Sequence, residues 1–269
     1  MSKRAKEILI VAAGVIFIAA AILFIIKVAG CKSKSTIPSI TYTADENSEE
    51  RIYITGLTDK GRSDSVIKIP AQIDGKTVVG IAREAFRDCS NLKEVIIEEG
   101  ITEIAENAFF NCTNLENIQI PSSVKKIGTN AVKNTAWQKN KASSEYIIVN
   151  DILIEINTVK EAYIIPDGVK RIASGIFYSN NKVQKITLPS GIEYIEAYAF
   201  AGCGELSEIN IPDSVKVIEY GAFSGCILLS VEVPKTVENV GIDAFLNVEQ
   251  VKYNGRLSEA PWGAKAYVR

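Results

Sequence analysis

Five cysteines are the residues best suited to chemistry in this 269-residue chain, and four of them form two pairs with one shared interval. Cys89 and Cys112 stand 23 residues apart, as do Cys203 and Cys226. Two chemistries suit such pairs: disulfides between neighbouring structural repeats in an oxidising compartment, or a row of small buried thiols that pack as hydrophobes. Asn180 occupies the same offset in another repeat, which fits the second reading. A four-cysteine zinc site needs convergent thiolates, and two pairs this far apart in sequence do not suggest one.

Histidine is absent from the chain. That removes the commonest general base and transition-metal ligand, and with them Ser-His-Asp and Cys-His catalysis. The paired carboxylates Glu98-Glu99 and Glu49-Glu50 read as solvated turn residues, with no apolar pocket implied that would raise a pKa. Asn111-Cys112-Thr113 is formally a glycosylation acceptor but overlaps a core cysteine. No catalytic, cofactor-binding or metal-binding residue is assigned.

Residues 8–26 are uncharged and apolar throughout, about 28 Å as a helix at ~1.5 Å per residue, which matches a bilayer core. Residues 1–34 carry +5 and the remainder -7, for a net charge of -2. A mildly acidic domain has no general attraction to nucleic-acid phosphates. Three readings fit the start of the chain. A signal anchor would hold Lys3, Arg4 and Lys6 in the cytoplasm. A lipoprotein signal would lipidate Cys31, because Val28-Ala29-Gly30-Cys31 resembles the bacterial lipobox, although Lys27 departs from its apolar approach. A reversed helix would keep the C-terminal part inside. The anchor is the preferred expectation, giving a single-pass membrane protein with its C-terminal domain outside.

What positions the cysteines is a repeat. Phe86, Phe109, Phe177, Phe200, Phe223 and Phe245 are spaced 23, 68, 23, 23 and 22 apart, and Val132 divides the long interval into 23 and 45. Val78, Ile101, Val124, Val169, Ile192, Val215 and Val237 stand eight before the members of that column. Ile81, Ile104, Ile127, Ile172, Ile195, Ile218 and Val240 stand five before it. Columns in step at a fixed period define a solenoid. Segments such as Leu115-x-x-Ile118-x-Ile120-Pro121 alternate apolar with polar, so each unit contributes a short strand that proline ends. The expected fold is a mainly β, leucine-rich-repeat-like stack of 22- to 23-residue turns with a parallel sheet, preceded by one transmembrane helix.

Residues 35–66 read as a linker and an N-terminal capping hairpin, and 67–253 as the solenoid. Within it, 133–160 is a degenerate turn with a hairpin at Asn150-Asp151, and 254–269, with Trp262 and Tyr267, is a C-terminal cap. The segments IPSSVKKIGTNAV, LPSGIEYIEAYAFAGCGELSEINIPDSVKVIEYGAFSGC and NTAW…VNDILIEI closely resemble the BspA-type leucine-rich repeat. That resemblance covers about residues 40–260 and implies the solenoid fold and a role on a bacterial cell surface in adhesion or binding, without naming a ligand.

Two outward strand columns are the expected contact surface: Glu94, Asn117, Lys185, Glu208, Ser230 and Gln250, beside Ile96, Gln119, Thr187, Asn210, Glu232 and Lys252. The expected partner is a protein or matrix component. A cell-wall or host glycan would instead favour exposed aromatics such as Trp137, Tyr146 and Trp262, and an enzyme using carboxylates alone would need a deep pocket flanked by two of them. The sequence leaves the oligomeric state open.

Overall fold

The computed structural model describes residues 39–228, 230–253, 255–257 and 262–268. The apolar segment 8–26 and Cys31 lie outside them. Among the described residues no helix is long and apolar enough to cross a membrane.

The chain enters through an antiparallel hairpin, β1 (Ile40–Asp45) and β2 (Ser48–Leu57). An N-terminal stack follows: β3 (Val66–Ile69), β4 (Gln72–Ile73), β5 (Lys76–Ile81), β6 (Glu94–Ile97), β7 (Glu103–Ile104), β8 (Asn117–Gln119) and β9 (Lys126–Ile127). A short helix, α1 (Ala136–Lys139), and the hairpin of β10 (Tyr146–Val149) and β11 (Ile152–Ile156) interrupt it. The C-terminal stack opens with β12 (Ala162–Ile164), β13 (Arg171–Ile172), β14 (Lys185–Thr187), β15 (Tyr194–Ile195) and β16 (Glu208–Ile209). It ends with β17 (Val217–Ile218), β18 (Val231–Val233), β19 (Asn239–Val240), β20 (Gln250–Tyr253) and β21 (Ala266–Val268).

Each turn contains two strand sites and a tight corner. At the first site alternation decides orientation: Ile67, Val95, Ile118, Tyr163 and Ile186 are buried while their neighbours face out. At the second site parallel pairing aligns Ile54, Ile81, Ile104 and Ile127 in one run. Leu153, Ile172, Ile195, Ile218 and Val240 form the next run, in about nine turns altogether.

At the corner two residues per turn, four apart, adopt left-handed backbone: Asn107 and Asn111, Asn130 and Asn134, Gly221 and Gly225. Asparagine and glycine tolerate that conformation, which bends the chain sharply enough to bury the Ala-Phe pair between them, or Ala131-Val132 at the second corner. Backbone donors then tie each corner to the next. Phe86 N–H donates to Ala108 O at 2.8 Å, Phe200 to Ala222 at 2.8 Å and Phe223 to Ala244 at 2.7 Å.

The phenylalanine column stacks as rings. Phe86 and Phe109 lie 5.1 Å apart at 8°, and Phe177, Phe200, Phe223 and Phe245 follow one another at 5.2, 5.1 and 5.2 Å. Trp262 continues the column at 6.2 Å from Phe245, closing the core with a larger ring. At Val132 the ladder stops, and the buried residues form two clusters that meet at the insertion, with Ile147, Ile152 and Ile154 in the first and Leu153 in the second.

The strand side differs from the expected single sheet. Among the described residues it comprises three: β3-β6-β8, β12-β14-β16 and β18-β20-β21. After β8 the chain has no strand in the next turn, because it folds into α1, whose Trp137 N–H takes the Leu115 carbonyl at 2.7 Å. Beyond β16 the repeat shortens from 23 to 22 residues, and among the described residues pairing lapses for one step.

Candidate interaction surface

The two outward columns lie where the alternation puts them, on the strand side. Glu94 sits in register with Asn117, Ile96 with Gln119, Lys185 with Glu208 and Glu232 with Lys252. Asn117, Gln119, Lys185, Thr187, Glu208, Asn210, Ser230, Glu232 and Lys252 are exposed, while Glu94, Ile96 and Gln250 are half-buried. Because three sheets carry them, the columns form three patches and not one strip.

Neighbouring side chains in these patches answer one another. Lys185 Nζ meets Glu208 Oε2 at 2.5 Å, and Gln119 Nε2 donates to Glu94 Oε1 at 3.1 Å. Exposed pairs of this kind contribute about 0–1 kcal/mol, so the stack does not depend on them. Asn210 is different. Its side chain accepts from Leu188 N–H at 2.9 Å and donates to Leu188 O at 3.1 Å, replacing a missing ladder step, so its polar groups serve the fold.

Sequence reasoning missed the apolar part of this surface. Ile164, 74% exposed, occupies the second outward column beside Thr187, and Val159, 76% exposed, lies just before it. The alternation Ala162-Tyr163-Ile164 carried the signal, but it directly follows the stretch where the pattern is lost.

The aromatics offered for a glycan partner are packed. Trp262 is buried on the phenylalanine column, Trp137 packs on the N-terminal core under Lys141, and the Tyr146 hydroxyl donates to Ile164 O at 3.0 Å. Exposed tyrosines occur instead at Tyr178, Tyr198 and Tyr220, on the corners of the C-terminal stack.

The cysteines are free thiols lying one turn apart within each pair. Cys112, Cys203 and Cys226 donate to the carbonyls of Phe86, Phe177 and Phe200 in the preceding turn. That contact explains why a small weak donor suits the column. Contact with Cys89 and burial push the Cys112 thiol up, and Cys226 is pushed up in the same way beside Cys203.

Glu98 and Glu99 act as clamps between turns. Hydrogen bonds from Lys68 and the Ala71 N–H hold Glu98 below the usual carboxylate range, and the Ser122 N–H and hydroxyl, with Ser123, do so for Glu99. Carboxylates held ionised in this way are poor general acids.

Glu196 behaves in the opposite way, at the seam between the stacks. It is fully buried, and burial pushes its pKa up to about 7 against the pull of Arg171, whose guanidinium approaches to 3.1 Å. Arg171 also stacks 3.7 Å above the Tyr194 ring, and Ser174 N–H donates to Glu196 at 3.2 Å. Thr129 crosses the seam to Ser174 O at 3.0 Å, a polar link where the aromatic ladder has lapsed. Among the described residues no group of three or more histidine, cysteine or carboxylate side chains is arranged to hold a metal ion.

A family model for the BspA-type leucine-rich repeat region, in six copies, matches residues 79–161 and 157–252. Among solved structures, the T. pallidum leucine-rich repeat protein TpLRR is 23% identical over 80% of this chain and 88% of that one, with a TM-score of 0.40. A leucine rich cell surface protein from Faecalibacterium prausnitzii A2-165 is 24% identical over 84% and 56%, with a TM-score of 0.39. The pneumococcal vaccine antigen PcpA is 18% identical over 86% and 84%, with a TM-score of 0.42. No curated protein matches the chain.

Proposed function

The chain belongs to the BspA-type leucine-rich repeat family, and from that premise we propose that it is a recognition module, tethered at the cell membrane through residues 8–26, that binds a protein or matrix partner outside the cell. Binding is its activity, not catalysis. The observation that carries this reading is the strand side. Polar residues stand exposed there in register, while stability resides in the buried columns behind them.

Exposed Ile164 gives the middle patch an apolar edge on β12, one strand away from Lys185, whose partner is Glu208. An apolar contact beside exposed polar groups suits a protein partner, whose interfaces combine the two. The test is surface plasmon resonance of the full-length chain, kept in a polyoxyethylene detergent, over immobilised matrix glycoproteins. Glu208→Lys/Glu232→Lys is expected to abolish the response with the thermal midpoint unchanged. An unaltered response would remove the strand side from consideration. Mass spectrometry of the native N-terminus tests the tether: an intact Met1 start supports the anchor, and a diacylglyceryl group on Cys31 replaces it with a lipid.

A further inference from the structure

The corners of the C-terminal stack carry an aromatic ridge that neither the core nor the strand side requires. Two positions before the column residue, every corner uses left-handed backbone: Glu84, Asn107, Asn130, Gly175, Tyr198, Gly221 and Asp243, with φ between 55° and 66°. Asparagine, aspartate and glycine suit that conformation, and Glu84 pairs with Arg87 at 2.9 Å. A tyrosine there is an outlier, and a strained residue kept at the surface points to a use for its side chain.

Tyr198 is 41% exposed, and Tyr178 and Tyr220, at 62% and 45%, flank it. The ring centroids lie 6.5 and 5.1 Å from that of Tyr198, with planes at 86° and 80°. Gly221 provides the seat, since a Cβ there would meet Tyr198 Cε1 at 2.9 Å. The corresponding region of the N-terminal stack has the ion pair of Arg83 with Glu106, and Thr129, so the fold itself needs no aromatic there.

We infer that Tyr178, Tyr198 and Tyr220 form a binding site for an extended chain of neutral sugars. Pyranose rings present C–H faces that stack on aromatic rings, and hydroxyls that bond to phenols and carboxylates. One ring per turn at these spacings offers about one aromatic group for each successive sugar. Asp243, half-buried on the next corner, is close enough to act electrostatically on Tyr198 and offers an acceptor for sugar hydroxyls.

Two competing ligand classes fit less well. From residue 178 onward the chain has eleven acidic and eight basic residues, so a polyanion gains no net attraction. A peptide adding as a strand needs unpaired backbone, yet Tyr198 N–H is committed to Tyr220 O at 3.0 Å and Gly221 N–H to Ile242 O at 3.2 Å. The site is separate from the strand side and does not depend on it.

Affinity electrophoresis of the full-length chain, in gels cast with hydroxyethylcellulose, with polygalacturonate or with no polymer, tests this. Retardation by the neutral polymer alone is expected. Tyr198→Asn, which suits the left-handed backbone, is expected to weaken it at least tenfold with a thermal midpoint equal to or above wild type, and Tyr220→Thr to weaken it severalfold. No retardation by the neutral polymer, retardation by polygalacturonate alone, or equal retardation of Tyr198→Asn would each overturn the assignment.

Discussion

The stacks on either side of the insertion share a period, a corner and a set of buried columns, yet they differ in almost everything that faces outward. In the N-terminal stack the aromatic ladder is two rings long, Phe86 and Phe109, and the corners carry ion pairs such as Arg83–Glu106 and Arg87–Glu84. In the C-terminal stack the ladder runs from Phe177 through Phe200 and Phe223 to Phe245 and Trp262, and tyrosines stand on the corners. The inward positions answer to a core that tolerates little change in volume, whereas the outward ones contribute little to stability and are free to specialise. Function should therefore be sought in positions where the two stacks disagree.

The comparison can be broken most sharply at the ladder. Phe200→Ala removes a ring stacked on both sides and is expected to cost about 3–5 kcal/mol in urea unfolding. Phe109→Ala, with one ring neighbour, should cost about 1 kcal/mol less, since each aromatic pair adds roughly 0.5–1.5 kcal/mol. Equal losses would show that the two ladders do not differ energetically.

Acid should separate the stacks next. Burial raises the Glu196 pKa to about 7, so the fold favours its protonated form. Its contribution is fully present below the ordinary carboxylate range and is lost as pH rises through about 7. Between pH 5 and 8 the effect is on the order of 2 kcal/mol, and Glu196→Gln should flatten it in urea titrations at both pH values. Glu98, held low by Lys68 and the Ala71 N–H, has the reverse sign: its contribution is present above the ordinary range and lost on acidification. Glu98→Gln should thus blunt the loss of stability below pH 4 and leave the slope near neutrality alone.

Smaller effects sharpen the picture. Cys226→Ala deletes the thiol that donates to Phe200 O and is expected to cost about 1 kcal/mol by thermal denaturation. Glu208→Lys, on the exposed strand side, should move stability by no more than about 0.5 kcal/mol.

The buried columns were legible in the sequence because a 23-residue period repeats the same apolar offsets, and the strand columns because alternation has period two. Pairing was not legible. Whether β8 has a neighbour depends on how residues 133–160 fold, which no local pattern states, so one expected sheet became three. Trp262 read as part of a C-terminal cap, and as an exposed aromatic only for a glycan partner; its place on the phenylalanine column was not legible because it follows a tail outside the repeat. The tyrosine ridge escaped for a geometric reason: Tyr178, Tyr198 and Tyr220 stand at three different offsets from their column phenylalanines, so they form a row in space but no column in sequence. The asparagines at 107, 111, 130 and 134 stand at the left-handed corners, a signal that the sequence reading did not use.

The most direct test of stacking in register, with a break at the insertion, uses engineered cysteines on the strand side. Parallel pairing puts Lys185 beside Glu208, within the Cα separation of about 4.4–6.8 Å that a disulfide spans. Mild oxidation followed by peptide mapping should therefore link Lys185→Cys to Glu208→Cys efficiently and leave Asn117→Cys unlinked to Lys185→Cys across the insertion. The reverse pattern, with Asn117→Cys joined to Lys185→Cys and Glu208→Cys left free, would contradict the account.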